Sequence, residues 1–171
     1  PELARQIESL GEHSPRKIER AKSGDPTLAV PAGDKAIYLH SRYQPRDEAK
    51  KLVDAIDVNE TTVFFVYGLG LGYHLQELFD RSSSESLIYL FEPDLTVIRA
   101  AMEHRDLTAM LDSRRISIFT QLDKGEVFTQ LTPNTAMIAG GTATVRLPAA
   151  VQKDKRFFDQ IDLWVEEFAA F

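Results

Sequence analysis

An apolar, β-branched run, Thr62–Tyr67, passes directly into Gly68-Leu69-Gly70-Leu71-Gly72 and then into an amphipathic stretch, Tyr73–Phe79. Few architectures accommodate this combination. A strand without polar alternation must be covered on both faces, which is the situation of a central strand in a parallel sheet. Glycines at alternate positions after it allow a tight turn and the close approach of a ligand or of another piece of backbone. The free N–H groups that open the next helix can then hold an anion.

The rest of the chain repeats the strand-then-helix rhythm. Ser86–Phe91 reads as a second strand, after which Asp94 is placed to cap a helix reaching about Leu111. Leu95, Ile98, Met102 and Leu107 would turn that helix toward the sheet. Arg115–Phe119 reads as a third strand. Thr135–Ala139 is the candidate fourth, ending at Gly140-Gly141, and Ala143–Leu147 either continues it or forms another. This order favours a parallel sheet with right-handed crossovers. The expected fold is α/β: a Rossmann-like (methyltransferase-like), mostly parallel sheet flanked by helices over residues 61–171.

Residues 1–60 read as a small helix and hairpin subdomain. Leu3, Ile7 and Leu10 have helical spacing, and Ser14-Pro15 suggests the cap and first turn of a second short helix before the turn at Ser23-Gly24-Asp25-Pro26. Thr27–Val30 and Ala36–His40, separated by Pro31-Ala32-Gly33-Asp34, suggest a hairpin. Pro45–Ile56 reads as an amphipathic helix with Ala49, Leu52, Val53 and Ile56 on its apolar stripe. At the other end, a helix over about Asp154–Phe168 carries Phe157, Phe158, Ile161, Trp164, Val165 and Phe168. That stripe either packs on the sheet or meets a further domain or a second copy, as in a homodimer through residues 154–168.

Composition narrows the function classes. A net charge of −6 argues against a nucleic-acid partner, which needs a basic surface. Short basic clusters such as Arg114-Arg115 and Lys153–Arg156 have acidic neighbours and read as solvated faces. The absence of cysteine excludes disulfides, thiolate catalysis and Cys-based metal sites, and it accords with a cytoplasmic location. No apolar run has membrane-spanning length, and no secretion signal opens the chain. A start at Pro1 and an apolar finish at Ala170-Phe171 read as the cut ends of a longer protein.

The candidate site is built on the glycines. Gly68, Gly70 and Gly72 follow GxGxG spacing, nearer to the loop that methyltransferases use around S-adenosylmethionine than to the dinucleotide GxGxxG. Glu92, 20 residues beyond Gly72, lies where an acid accepts hydrogen bonds from ribose hydroxyls. The ligand class indicated is a nucleotide or an S-adenosylmethionine-like molecule. A retained turn with a purely structural role remains the other reading, because Leu69, Leu71 and Tyr73 are bulky enough to close the pocket. His74 falls in the first helical turn, where the dipole disfavours its charged form and a structural hydrogen bond is preferred. Arg42 and Arg46 either clamp an anion beside the loop or lock the N-terminal subdomain to the sheet. His13, His40 and His104 form no ligand-spaced set and read as surface or lone packing histidines. There is no GxSxG elbow, Walker A lysine or metal-spaced acid cluster, so no catalytic residue and no metal is assigned.

Three segments together are fairly specific: Tyr38-Leu39-His40-Ser41-Arg42-Tyr43-Gln44-Pro45-Arg46-Asp47-Glu48-Ala49, Val66-Tyr67-Gly68-Leu69-Gly70-Leu71-Gly72-Tyr73-His74-Leu75 and Leu90-Phe91-Glu92-Pro93-Asp94. They resemble the N-terminal region of motility accessory factor (Maf) proteins, the flagellin glycosyltransferases, over about Gly24 to Arg115. The resemblance implies a larger central domain in the same chain, related to an archaeal pterin pyrophosphokinase. That domain would transfer a nonulosonic acid from a CMP-activated donor to Ser or Thr of flagellin. The present domain would then support or orient it, or recognise flagellin. An S-adenosylmethionine-dependent methyltransferase and a structural or oligomerisation domain are the alternatives.

Overall fold

The computed structural model describes residues 2–11 and 16–171. Two sheets organise them. Strands β4 (Val63–Tyr67), β5 (Leu87–Phe91), β6 (Ile116–Phe119) and β7 (Thr142–Arg146) form a wholly parallel sheet in the order β6-β5-β4-β7. Strands β1 (Lys17–Arg20), β2 (Pro26–Ala32) and β3 (Lys35–Tyr38) form an antiparallel sheet in the order β1-β2-β3. The protein is thus a mixed α/β fold with one parallel and one antiparallel sheet, flanked by helices.

β4 explains why a strand can be apolar at every position. All five of its residues are buried, and alternate side chains serve different cores. Phe64 and Val66 join Ile88 and Leu90 in a core with α2 (Pro45–Asp54), α3 (Tyr73–Arg81) and α4 (Leu95–His104). Leu28, Val30 and Leu39 of the hairpin region enter that same core. Val63, Phe65 and Tyr67 join Tyr89, Phe91 and Phe119 in a second, aromatic core under α6 (Lys124–Leu131) and α9 (Lys155–Ala169). Each such side chain withdrawn from water contributes about 1.5–3 kcal/mol.

The β2–β3 hairpin turns on Gly33-Asp34, with Ala32 paired to Lys35 and Gly33 at φ 63°, as a two-residue hairpin turn requires. α1 (Glu2–Glu8) is helical as its spacing suggests. The second short helix does not exist as read. Lys17–Arg20 is a strand, paired with β2 from Lys17↔Ala29 to Arg20↔Pro26, and edge pairing outweighs the helix preference of its long charged side chains. Ser14-Pro15 and His13 lie outside the described residues.

Two further expectations are corrected. Thr135–Ala139 is not the fourth strand: it lies in α7 (Thr135–Gly140), and β7 follows immediately. A six-residue apolar run carries too little periodicity to separate the two states. The place beside β4 goes to Thr142–Arg146, whose register matches Val63–Tyr67 residue for residue. The helix capped by Asp94, whose side chain accepts from the Thr96 N–H, stops at His104. Arg105 is extended, Leu107 enters the core at 6% exposure, and a separate α5 (Thr108–Asp112) follows. In α9, Phe158 and Ile161 are buried, and Phe157, Trp164, Val165 and Phe168 pack against the aromatic core. The stripe faces the chain's own sheet.

Candidate functional site

Gly68–Gly72 leaves the carboxyl end of β4 beside β7, the point where the strand order changes direction and where parallel α/β sheets ordinarily open a crevice. Here the crevice is filled by the chain itself. Gly68 and Gly70 have φ of 84° and 52°, a backbone state that side-chain-bearing residues rarely adopt. A Cβ on Gly68 would overlap the Cβ of Ala150, in the short helix α8 (Pro148–Lys153). A Cβ on Gly70 would overlap the His40 ring and come within 3.0 Å of Leu147 Cδ2. Gly68 and Gly70 thus lie directly against Ala150, His40 and Leu147 of the same chain.

Three donors of the loop are engaged as well. Leu69 N–H donates to Glu92 Oε2 at 2.8 Å, Leu71 N–H to His40 Nε2 at 2.6 Å, and Gly72 N–H to Leu69 O at 2.8 Å. Leu69, Leu71 and Tyr73 are 2%, 0% and 3% exposed. They cover the loop.

Glu92 sits at the end of β5, 2% exposed, each carboxylate oxygen accepting one N–H: Leu69 at 2.8 Å and Asp94 at 2.9 Å. Burial pushes its pKa up to about 7, against those two N–H groups and the nearby Lys153, which favour the charged form. Asp94 receives Arg16 Nη2 at 2.5 Å and Lys153 Nζ at 3.2 Å, and Lys153 also reaches Asp154 at 2.6 Å. This ion network ties α8 and the segment before β1 to the end of β5.

The two histidines have opposite tautomers. His40 Nε2 accepts the Leu71 N–H, so its proton resides on Nδ1, 3.5 Å from Glu48 Oε1. His74 Nε2 faces Gly68 O at 2.7 Å and must donate. Its Nδ1 is then a buried acceptor with no partner among the described residues. Burial lowers both pKa values, that of His74 to about 4. Both rings are neutral at pH 7, consistent with a hydrogen-bonding role in the loop's packing.

Arg42 lies 4.0 Å from Glu19 and over the Tyr38 ring at 4.4 Å, while Arg46 pairs with Asp25 at 2.9 Å. Both bond to the antiparallel-sheet region. His104 ends α4 in solvent. Among the described residues, no three His, Cys, Asp or Glu side chains converge as a metal group, and no helix is long and apolar enough to cross a membrane. Sequence reasoning missed His40, Ala150 and Leu147 as partners of the glycines. No spacing rule announces contacts between residues so far apart.

Four parallel strands covered on both faces, with an antiparallel sheet sharing one core, define an α/β domain whose glycine loop is packed inside it. Residues 5–136 match the family profile described as the glycosyltransferase Maf N-terminal domain. The chain belongs to that family. A protein from Treponema pallidum (strain Nichols), described as uncharacterized, is 31% identical over 157 residues, covering 86% of this chain and 49% of its own length. The structure of MAf glycosyltransferase from Magnetospirillum magneticum AMB-1 superposes with a TM-score of 0.60 at 15% identity, over 96% of this chain and 33% of that one. The likeness extends to the fold. The chain spans about half the length of the curated relative and a third of the solved structure.

Proposed function

We propose that this chain is the accessory, non-catalytic N-terminal domain of a Maf-type glycosyltransferase, working in the cytoplasm. Its parallel sheet is of Rossmann-like type, with the nucleotide crevice converted into an internal joint. On this reading, transfer of a CMP-activated nonulosonic acid to flagellin Ser or Thr belongs to a following domain. The present domain supports that domain or recognises the acceptor. The observation that carries the proposal is the capture of the Leu69 and Leu71 N–H groups by Glu92 and His40, with Ala150 and Leu147 against Gly68 and Gly70. A ribose or phosphate using those two N–H groups would have to displace Glu92 and His40.

Calorimetric titration of the chain with CMP, S-adenosylmethionine and nicotinamide dinucleotides tests the proposal, which expects no binding. Micromolar binding of S-adenosylmethionine, abolished by Glu92→Ala, would establish the methyltransferase alternative instead. In the longer protein, deleting this domain is expected to spare turnover of the CMP-sugar and to reduce transfer to flagellin. A requirement for Glu92 or the glycine loop in CMP-sugar turnover would make the domain catalytic and refute the assignment.

A further inference from the structure

A cavity lies between α1, α4, α5 and the parallel sheet. It holds about 140 Å³, and every residue that lines it is apolar. Leu3 and Ile7 of α1 form one wall. Leu69 and Leu90 are 2% and 1% exposed and close the floor, whereas Met102 and Leu111, at 50% and 40%, stand where the cavity reaches the surface. Protein interiors leave few voids larger than a water molecule, so a space of this size beside a filled core is an exception. Water is a poor occupant, because it needs about two to four polar partners and these walls offer none from their side chains.

We propose that this cavity binds one small uncharged apolar molecule, an aromatic ring or a branched hydrocarbon of about six carbon atoms. The volume sets the size, since apolar cavities of roughly 150 Å³ stay dry and take up benzene. The lining sets the class: a carboxylate or phosphate at the floor would be a buried charge without a partner. Leu69 offers the cavity its side chain alone, because its N–H donates to Glu92 at 2.8 Å. The α1 wall is held by what it touches. None of its residues is fully buried, and a seven-residue helix has little stability of its own. Leu3 and Ile7 pack against the core, and Arg99 Nη1 donates to Leu10 O at 2.8 Å. An occupant adds apolar contacts to that same wall. The site is separate from the N–H groups of the glycine loop and does not depend on the glycosyltransferase assignment.

Methionine provides the readout. The chain has three methionines: Met102 and Met110 line the cavity, and Met137 packs against the separate aromatic core. NMR follows their isotope-labelled methyl groups during titration with benzene and, in parallel, with benzoate. Benzene is expected to shift Met102 and Met110 saturably and to leave Met137 in place. Benzoate is expected to bind at least about a hundredfold more weakly, as an ion among apolar walls would. Ile118→Phe fills the cavity from β6 and is expected to abolish the saturable shifts. If Ile118→Phe loses its native spectrum, Ala4→Leu narrows the cavity from an exposed position on α1 and is expected to weaken benzene binding about tenfold. Linear or absent shifts at Met102 and Met110, an equal shift at Met137, or unchanged benzene binding in the variant that folds would overturn the site. Benzoate bound as tightly as benzene would overturn the uncharged class of ligand.

Discussion

His40 Nε2 accepts the Leu71 N–H at 2.6 Å, so a residue following the antiparallel hairpin holds the glycine loop of the parallel sheet. The same ring occupies the space a Cβ on Gly70 would need. One side chain thus supplies a hydrogen bond, a packing surface and a joint between the two sheets. His40→Ala is expected to cost about 2–4 kcal/mol, combining a stranded buried N–H with a cavity. Urea denaturation measures it. A loss below 1 kcal/mol would show that the joint is not a main support.

Gly70→Ala and Gly33→Ala separate backbone strain from packing. Gly33 has φ 63° with nothing within 4 Å of an added Cβ, whereas Gly70 has φ 52° and meets His40 and Leu147. Gly33→Ala should cost about 1 kcal/mol from the left-handed conformation alone. Gly70→Ala should cost roughly 1–3 kcal/mol more through overpacking. Equal losses in thermal or urea melts would refute the packed-loop description.

Glu92 and His74 make opposing contributions to stability as pH changes. The folded pKa of Glu92 is raised to about 7, so its contribution is fully present below pH 4.5 and is lost as pH rises through 7. The folded pKa of His74 is lowered to about 4, so its contribution is present above pH 6.5 and is lost as pH falls through 4. Each shift corresponds to about 3 kcal/mol. Relative to the native chain, His74→Gln should gain stability toward pH 4, and Glu92→Gln should gain toward pH 8. Urea midpoints across that range would show the two variants diverging in opposite directions; parallel profiles would contradict the assignment.

Trp164 distinguishes an inward stripe from a dimer face. It packs against the aromatic core with Phe158 and Ile161, so Trp164→Glu should destabilise the fold by about 2 kcal/mol or more through a charge placed against apolar surface. The solution mass is expected to stay the same. A dimer that dissociates on this substitution, with the melting temperature unchanged, would restore the oligomerisation reading.

The strand β4, the turn after it, helix α3 and strand β5 are legible in the residues because each depends on local pattern: an unbroken apolar run, punctuating glycines, a helical stripe. Local pattern failed where segments were short or their partners distant. Lys17–Arg20 became a strand through pairing with β2. Thr135–Ala139 became helical while Thr142–Arg146 took the place beside β4.

The glycine loop shows the same division. Its backbone shape follows from Gly68, Gly70 and Gly72, and any fold of this chain would have to respect it. What lies against the loop could not be read from the sequence. Glu92 reaches Leu69 across 23 residues, and His40 reaches Leu71 across 31. Missing side chains create room without specifying an occupant. Which group fills that room depends on how two sheets and α8 close over one core, a long-range packing outcome with no periodic trace in the sequence.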